Sequence, residues 1–250
     1  MDDEHKDDNR NIMMGCFFVL GIAMFAMLAI FYLPKINIGS MFQVNFEADD
    51  APANCVSNPN PLFPKLITDM NMIKTVVPPG TVVSRLGENV MNTNSTLVVN
   101  GRVPVYAPVD SYFYKGAYYS DNKINQYQLF FNFSCEVFYL FDHLQDPVDK
   151  IKTVMSVNPA NSIQTQIISQ PVYFAGGELI GYTGVNFDFG LYNRKNNNEL
   201  EKTYSKVKFS LRDHQALCPF GAFHESIRSY YTSKYGSINP AEPAPKALCQ

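Results

Sequence analysis

The sequence predicts a mainly β protein: an antiparallel, sandwich-like β body, one N-terminal transmembrane helix and a short C-terminal helix. Three observations carry that prediction. Aromatic residues fill 14% of the 250 positions, as 19 Phe and 15 Tyr without Trp, and 16 Pro and 14 Gly punctuate them. This suits short strands between turns. Residues 12–33 contain no charged side chain. From residue 81 onward, brief β-like runs succeed one another with no long helical period between them.

Composition narrows the function classes. The chain is 46% hydrophobic and 17% charged, with 20 basic against 23 acidic residues and a net charge of −3. It is too apolar for a disordered chain and too weakly basic to rely on phosphate charge, so no nucleic-acid partner is expected. Collagen-like, coiled-coil and disulfide-dense miniprotein classes are excluded as well.

The first element is the apolar run IMMGCFFVLGIAMFAMLAIFYL at 12–33. At about 1.5 Å per residue its 22 residues reach roughly 33 Å, enough for a hydrocarbon core of about 30 Å. Backbone groups in lipid must be bonded within the segment, so the run reads as a helix and the membrane as a partner. A cleaved signal peptide has a shorter apolar core and a basic start. Here residues 1–11 are short and mostly acidic, and they read as a cytoplasmic tail. Cleavage near Gly39-Ser40 is the alternative. Lys6 and Arg10 precede the span and Lys35 follows it, which favours the N-terminus inside and a large extracytoplasmic part. Gly15, Gly21, Ala23, Ala26 and Ala29 suit close helix packing.

Cys16 lies in the span, which leaves Cys55, Cys135, Cys218 and Cys249 in the exported part. An even number allows three disulfide pairings, and free buried thiols are the alternative. No C-x-x-C occurs, which argues against a zinc knuckle or a thioredoxin-like motif. Asn94-Ser-Thr96 and Asn132-Phe-Ser134 fit the N-glycosylation pattern.

Residues 34–80 read as linker and lead-in, with turns at 49–52 and 58–61 and a short helix or strand within 65–77. The β body is expected over 81–210. Its runs are 81–85, 97–100, 104–107, 111–119, 126–133, 136–141, 164–170, 173–174, 178–183, 187–192 and 203–208. Residues 194–198 (RKNNN) form a polar loop, a helix is expected within 222–235, and 211–250 make a C-terminal helix and tail.

Four stretches carry a resemblance. They are GRVPVYAPVD from Gly101 to Asp110, EVFYLFDHL from Glu136 to Leu144, AGGELIGYTG from Ala175 to Gly184, and NFDFGL from Asn186 to Leu191. In this order and spacing they resemble the M23 peptidases, the lysostaphin-like peptidoglycan endopeptidases. The resemblance covers about residues 85–195 and implies an antiparallel β-sandwich-like core. Without the family, glycines before Glu178 and at Gly181 still suit a tight turn and a close strand approach. A biotinyl or lipoyl carrier uses similar glycines, but its Met-Lys pair does not occur here.

The chemistry departs from that family. The resemblance places a zinc-binding H-x-x-x-D shortly before Gly101, yet residues 92–100 contain no His, Asp, Glu or Cys. The family's second zinc motif, H-x-H, corresponds to Asn186 and Asp188. Zinc needs three such donors and an open position for water. His143 matches the family's transition-state-stabilising histidine and has no metal-activated water to assist. No catalytic residue, metal or cofactor is therefore expected. The degenerate site positions are His143, Asn186 and Asp188, and the remaining metal candidates are Asp188 and His143. A rebuilt zinc site would need His143, Asp188 and His214 or His224, since His5 precedes the anchor. Asp142-His143 as the base pair of a triad lacks a poised Ser or Cys. The competing reading is structural: a histidine bonded to backbone or Asp142, and a strand aspartate bonded to a hydroxyl.

The aromatic series Tyr112, Phe113, Tyr114, Tyr118, Tyr119, Phe130, Phe131, Phe133, Phe138, Tyr139 and Phe141 reads first as core. An exposed tyrosine set would bind a glycan, peptide or protein. The functional expectation is an anchored, M23-like pseudoenzyme holding a cell-surface polymer or partner protein. A divergent zinc peptidase and a structural subunit of a membrane complex are the alternatives.

Overall fold

Asn122 and Lys123 both adopt positive φ, +49° and +66°. A two-residue turn of this kind matches the natural twist of paired strands. It joins the two longest-paired runs of the chain into a hairpin, Ser111–Asp121 with Ile124–Asn132. The computed structural model describes residues 52, 55–85, 87–238 and 248–249. The expected cytoplasmic tail, the transmembrane helix at 12–33 and its orientation lie outside the described residues. Among those described, no helix is long and apolar enough to cross a membrane.

The described strands are β1 (Ile73–Val77), β2 (Thr81–Arg85), β3 (Glu88–Asn92), β4 (Ser95–Val99), β5 (Val103–Tyr106), β6 (Ser111–Asp121), β7 (Ile124–Asn132), β8 (Val137–Leu144), β9 (Asp146–Pro147), β10 (Gln166–Phe174), β11 (Leu179–Thr183), β12 (Phe187–Asn193) and β13 (Ala216–Leu217). Short helices follow as α1 (Asp149–Lys152), α2 (Leu200–Thr203), α3 (Leu211–Gln215) and α4 (Glu225–Ser233). The large sheet runs β1-β4-β12-β8-β7-β6-β10, with β13 on β12; β5-β11-β9 and β2-β3 form two smaller sheets. Pairing between named strands is antiparallel throughout. The protein is mainly β with few helices.

The expected turn and close approach are both present. Gly177 has φ +89° between β10 and β11. A Cβ at Gly181 would lie 2.6 Å from the Asp146 carbonyl oxygen and Pro147 Cα, so β9 packs against β11 only because that side chain is missing. The strand expected over 203–208 does not form. Thr203 ends α2, and Lys208 makes one isolated bridge to Val90. The residues alternate as a strand would, but they pair with β3 only at that bridge, where the Lys208 amide donates to the Asn89 carbonyl.

One face of the large sheet carries the main core. Phe113, Phe131, Tyr139, Phe141, Phe187 and Phe189 are fully buried there, with Phe131 stacked on Tyr139 and Phe141 on Phe189 at 5.1 Å between centroids. Each such ring contributes about 1.5–3 kcal/mol by leaving water. The core extends beyond 81–210 in both directions. Phe63 packs on Tyr139 and Phe189, and from the C-terminal side Phe220, Phe223 and Tyr231 close over it. The Phe63 amide donates to the Ala222 carbonyl, and the His224 amide donates to the Phe63 carbonyl.

Two disulfides, Cys55–Cys135 and Cys218–Cys249, resolve the pairing and exclude free thiols at these positions. Beside the first, Glu136 is buried and its carboxylate accepts from Ser57 Oγ at 2.5 Å, the Asn58 amide at 2.9 Å and Lys195 Nζ at 3.0 Å. These donors, Ser57 first and then Lys195, pull its pKa down to about 2. An unfolded Glu titrates near about 4.3. The folded value is the lower one, so the stability this carboxylate supplies is complete above that pH and drains away as pH falls towards 2. Glu136→Gln is expected to flatten the loss of Tm between those limits in a thermal melt series. Parallel slopes for variant and wild type would show that the clamp is idle.

Candidate functional site

The second face of the large sheet holds a polar row, built by strand register. Thr96 of β4 pairs with Asp188 of β12, and Asp188 pairs with Asp142 of β8. On the neighbouring hairpin, Ala117 pairs with Gln128 and Tyr119 with Gln126. Directly opposed residues share a face, so Thr96, Asp188, Asp142, Gln128, Gln126 and Tyr119 gather on one side.

His143 joins them through an irregular backbone. Its φ is +67° near the end of β8, and the β7–β8 register slips between Tyr127 and Leu129. Left-handed φ in a histidine is uncommon and costs energy, and such outliers concentrate at sites. Consecutive strand residues ordinarily point to opposite faces. Here Asp142 and His143 both reach the Tyr119 hydroxyl, at 2.6 and 3.3 Å.

The bonding is dense. Asp142 accepts from Tyr119 Oη at 2.6 Å, Gln128 Nε2 at 2.6 Å and the His143 amide at 2.8 Å. Thr96 Oγ1 donates to Asp188 Oδ1 at 2.6 Å. His143 Nδ1 lies 2.5 Å from Gln126 Oε1, and its Nε2 lies 3.9 Å from Asp188 Oδ2. Burial raises the Asp188 pKa; the His143 ring and the Thr96 hydrogen bond oppose it, Asp142 adds to it, and a hydrogen bond from the Asn94 side chain opposes it again. Burial and then the Asp142 charge raise the Tyr119 hydroxyl. The His143 side chain is 34% exposed and that of the buried Asp188 12%, so the row meets solvent at His143.

Beyond the polar row, the same face turns aromatic, with Tyr114, Phe130, Phe138, Leu140 and Tyr192 in a second buried cluster. The chain after β12 covers it. Arg194 lies over Phe138 at 4.6 Å, Arg212 over Tyr192 at 5.7 Å, and Ala216 and Leu248 pack against the cluster. Cys218–Cys249 holds Leu248 nearby. Most of the aromatic series is thus core on one face or the other. Tyr112 is the exception at 51% exposed, beside Tyr173.

The structure brings together two of the expected positions, His143 and Asp188. Asn186 stands just before β12 and accepts from the Val99 amide at 3.4 Å. His214 is engaged elsewhere, with Nδ1 at 2.8 Å from the Asn198 carbonyl oxygen and Nε2 at 3.0 Å from Glu201. His224 caps α4. Among the described residues, no three His, Cys, Asp or Glu side chains are placed to hold a metal ion. His5 lies outside the described residues. Sequence reasoning passed over Thr96, Gln126 and Gln128 as members of the row. The polar i, i+2 spacing of the two glutamines in an otherwise aromatic strand was the available signal.

Both glycosylation triplets fall on this face and are buried. Asn94 is 9% exposed and accepts from the Tyr192 hydroxyl; Asn132 is 4% exposed and accepts from Arg194 at 2.5 Å. A glycan on either would displace that packing.

No family model matches the sequence, and no curated protein matches it either. Two solved structures of Helicobacter pylori Csd3 do match. The hexagonal form gives 11% identity and a TM-score of 0.35, the orthorhombic form 11% and 0.34. The matches cover 70% of this chain and 38% and 40% of those chains. The chain therefore spans about two fifths of their length.

If the row is a bonded unit, removing its central hydroxyl matters. Tyr119→Phe keeps the ring and strips a donor from the Asp142 carboxylate, at an expected cost of about 1.5–3 kcal/mol. Chemical denaturation measures it. A change near zero would mean that water replaces the hydroxyl freely.

Proposed function

We propose that this chain is a membrane-anchored, extracytoplasmic module of M23-like build that binds a cell-surface polymer or partner protein without cutting it. The observation that carries the reading is the state of Asp188. It stands where the resemblance puts a zinc histidine, and its carboxylate is bonded inside the protein to Thr96, beside His143. Asn186, at the other histidine position, is bonded to the β4 backbone. A metallopeptidase needs three donors free to meet a metal and a water. These groups instead meet one another.

Two disulfides support an oxidising location, and residues 12–33 supply a span of the right length for an anchor. The test is direct. Full-length protein purified with zinc present should carry far less than one equivalent by elemental analysis, and should leave peptidoglycan-derived and oligoglycine peptides intact. Stoichiometric zinc together with cleavage would overturn the reading. The anchor is checked separately: on intact cells, external protease should digest the β body, and carbonate washing should leave it in the membrane fraction.

A further inference from the structure

The polar row is short of cations. Asp142 and Asp188 sit on adjacent strands, and among the described residues His143 is the basic side chain within ion-pair distance of either. Asp121, at the end of β6, adds its negative field at Tyr119. Acceptors are also in excess. Gln128 is 3% exposed, its Nε2 is spent on Asp142, and its Oε1 has no hydrogen-bond partner. Buried acceptors left alone are uncommon and call for an explanation.

The gap between His143 and Asp188 points to what is missing. Nδ1 of His143 faces Gln126 Oε1 at 2.5 Å; in the tautomer that carries its proton on Nδ1 and donates to that oxygen, Nε2 presents a lone pair. Nε2 and Asp188 Oδ2 are then two acceptors 3.9 Å apart. That is too far for a direct hydrogen bond, yet a donor nitrogen between them sits at about 2.8 Å from each. The His143 side of this gap reaches solvent, with Asp188 buried behind it. A guanidinium prefers both carboxylate oxygens, and Oδ1 is already taken by Thr96. A metal ion lacks its third donor. An ammonium is a compact charge with three donors, and one oxygen plus one imidazole nitrogen suffices to seat it.

We propose that the His143–Asp188 mouth binds a primary ammonium group, such as a lysine side chain of a peptide, with Asp188 as its counter-ion and His143 Nε2 as second acceptor. This rests on the reading above, that the site binds and does not cut. It goes further in naming the chemistry recognised.

The experiment uses the full-length chain and two peptides, acetyl-Gly-Lys-Gly-amide and its Nε-acetyl-lysine twin. Binding is followed by the His143 ring resonances in NMR at neutral pH. The free amine should shift them saturably at millimolar concentration, and the acetylated twin should bind at least roughly tenfold more weakly. Asp188→Asn should weaken the free amine by a similar factor. Because the two peptides are compared on the wild-type chain, a poorly folded variant does not spare the proposal. Equal binding of both peptides, or no shift with the free amine, overturns it. Cleavage of either peptide with zinc uptake would instead overturn the reading on which it rests, so the two failures are distinguishable.

Discussion

Asp142 and Asp188 lie directly opposite each other on neighbouring strands of a largely buried face, and the site is arranged around that crowding. Two carboxylates out of water repel, and each needs donors to remain. Asp142 has three, from a tyrosine, a glutamine and a main-chain amide. Asp188 has Thr96 and the Asn94 side chain, and it leans on His143 without bonding it. A zinc ion would relieve such a pair at once. The chain relieves it with neutral donors.

The rest of the fold holds that row in place. The opposite face of β8 and β12 is packed with Phe141, Phe187 and Phe189, so the strands cannot slip by one residue without putting rings into water and carboxylates into the core. The aromatic half of the site face is roofed by the chain's own segment after β12. Solvent reaches the face where that roof stops, near His143. Glu136 and Cys55–Cys135 tie the segment before the sheet to the turn between β7 and β8, and that turn sets where β8 begins.

Legibility in the sequence followed the range of the interaction. β2 and β11 and the turn at Gly177 come from local signals, namely alternation and φ freedom, and these were readable, as was the helix near residue 230. β3 was not: Glu88–Asn92 is polar and, beyond one bridge from Val90 to Lys208, pairs with β2. Residues 203–208 show the reverse, an alternating pattern that finds a single bridge and no strand. His143 and Asp188 were reached through motifs, whereas Tyr119, Gln126 and Gln128 meet them only through the β6–β7–β8 register. The positive φ of His143 leaves no mark on composition. The two N-glycosylation triplets were legible as patterns and wrong as sites, because a triplet carries no information about burial.

The most direct measurement is the titration of the Asp188 carboxyl carbon by NMR, in wild type and in Asp142→Asn, with and without zinc. Crowding without a metal predicts a midpoint above the ordinary aspartate value of about 3.9, lowered when Asp142 loses its charge and indifferent to zinc. A midpoint at or below the ordinary value, or one that zinc moves sharply down, would mean that a cation holds these carboxylates apart and would contradict the account.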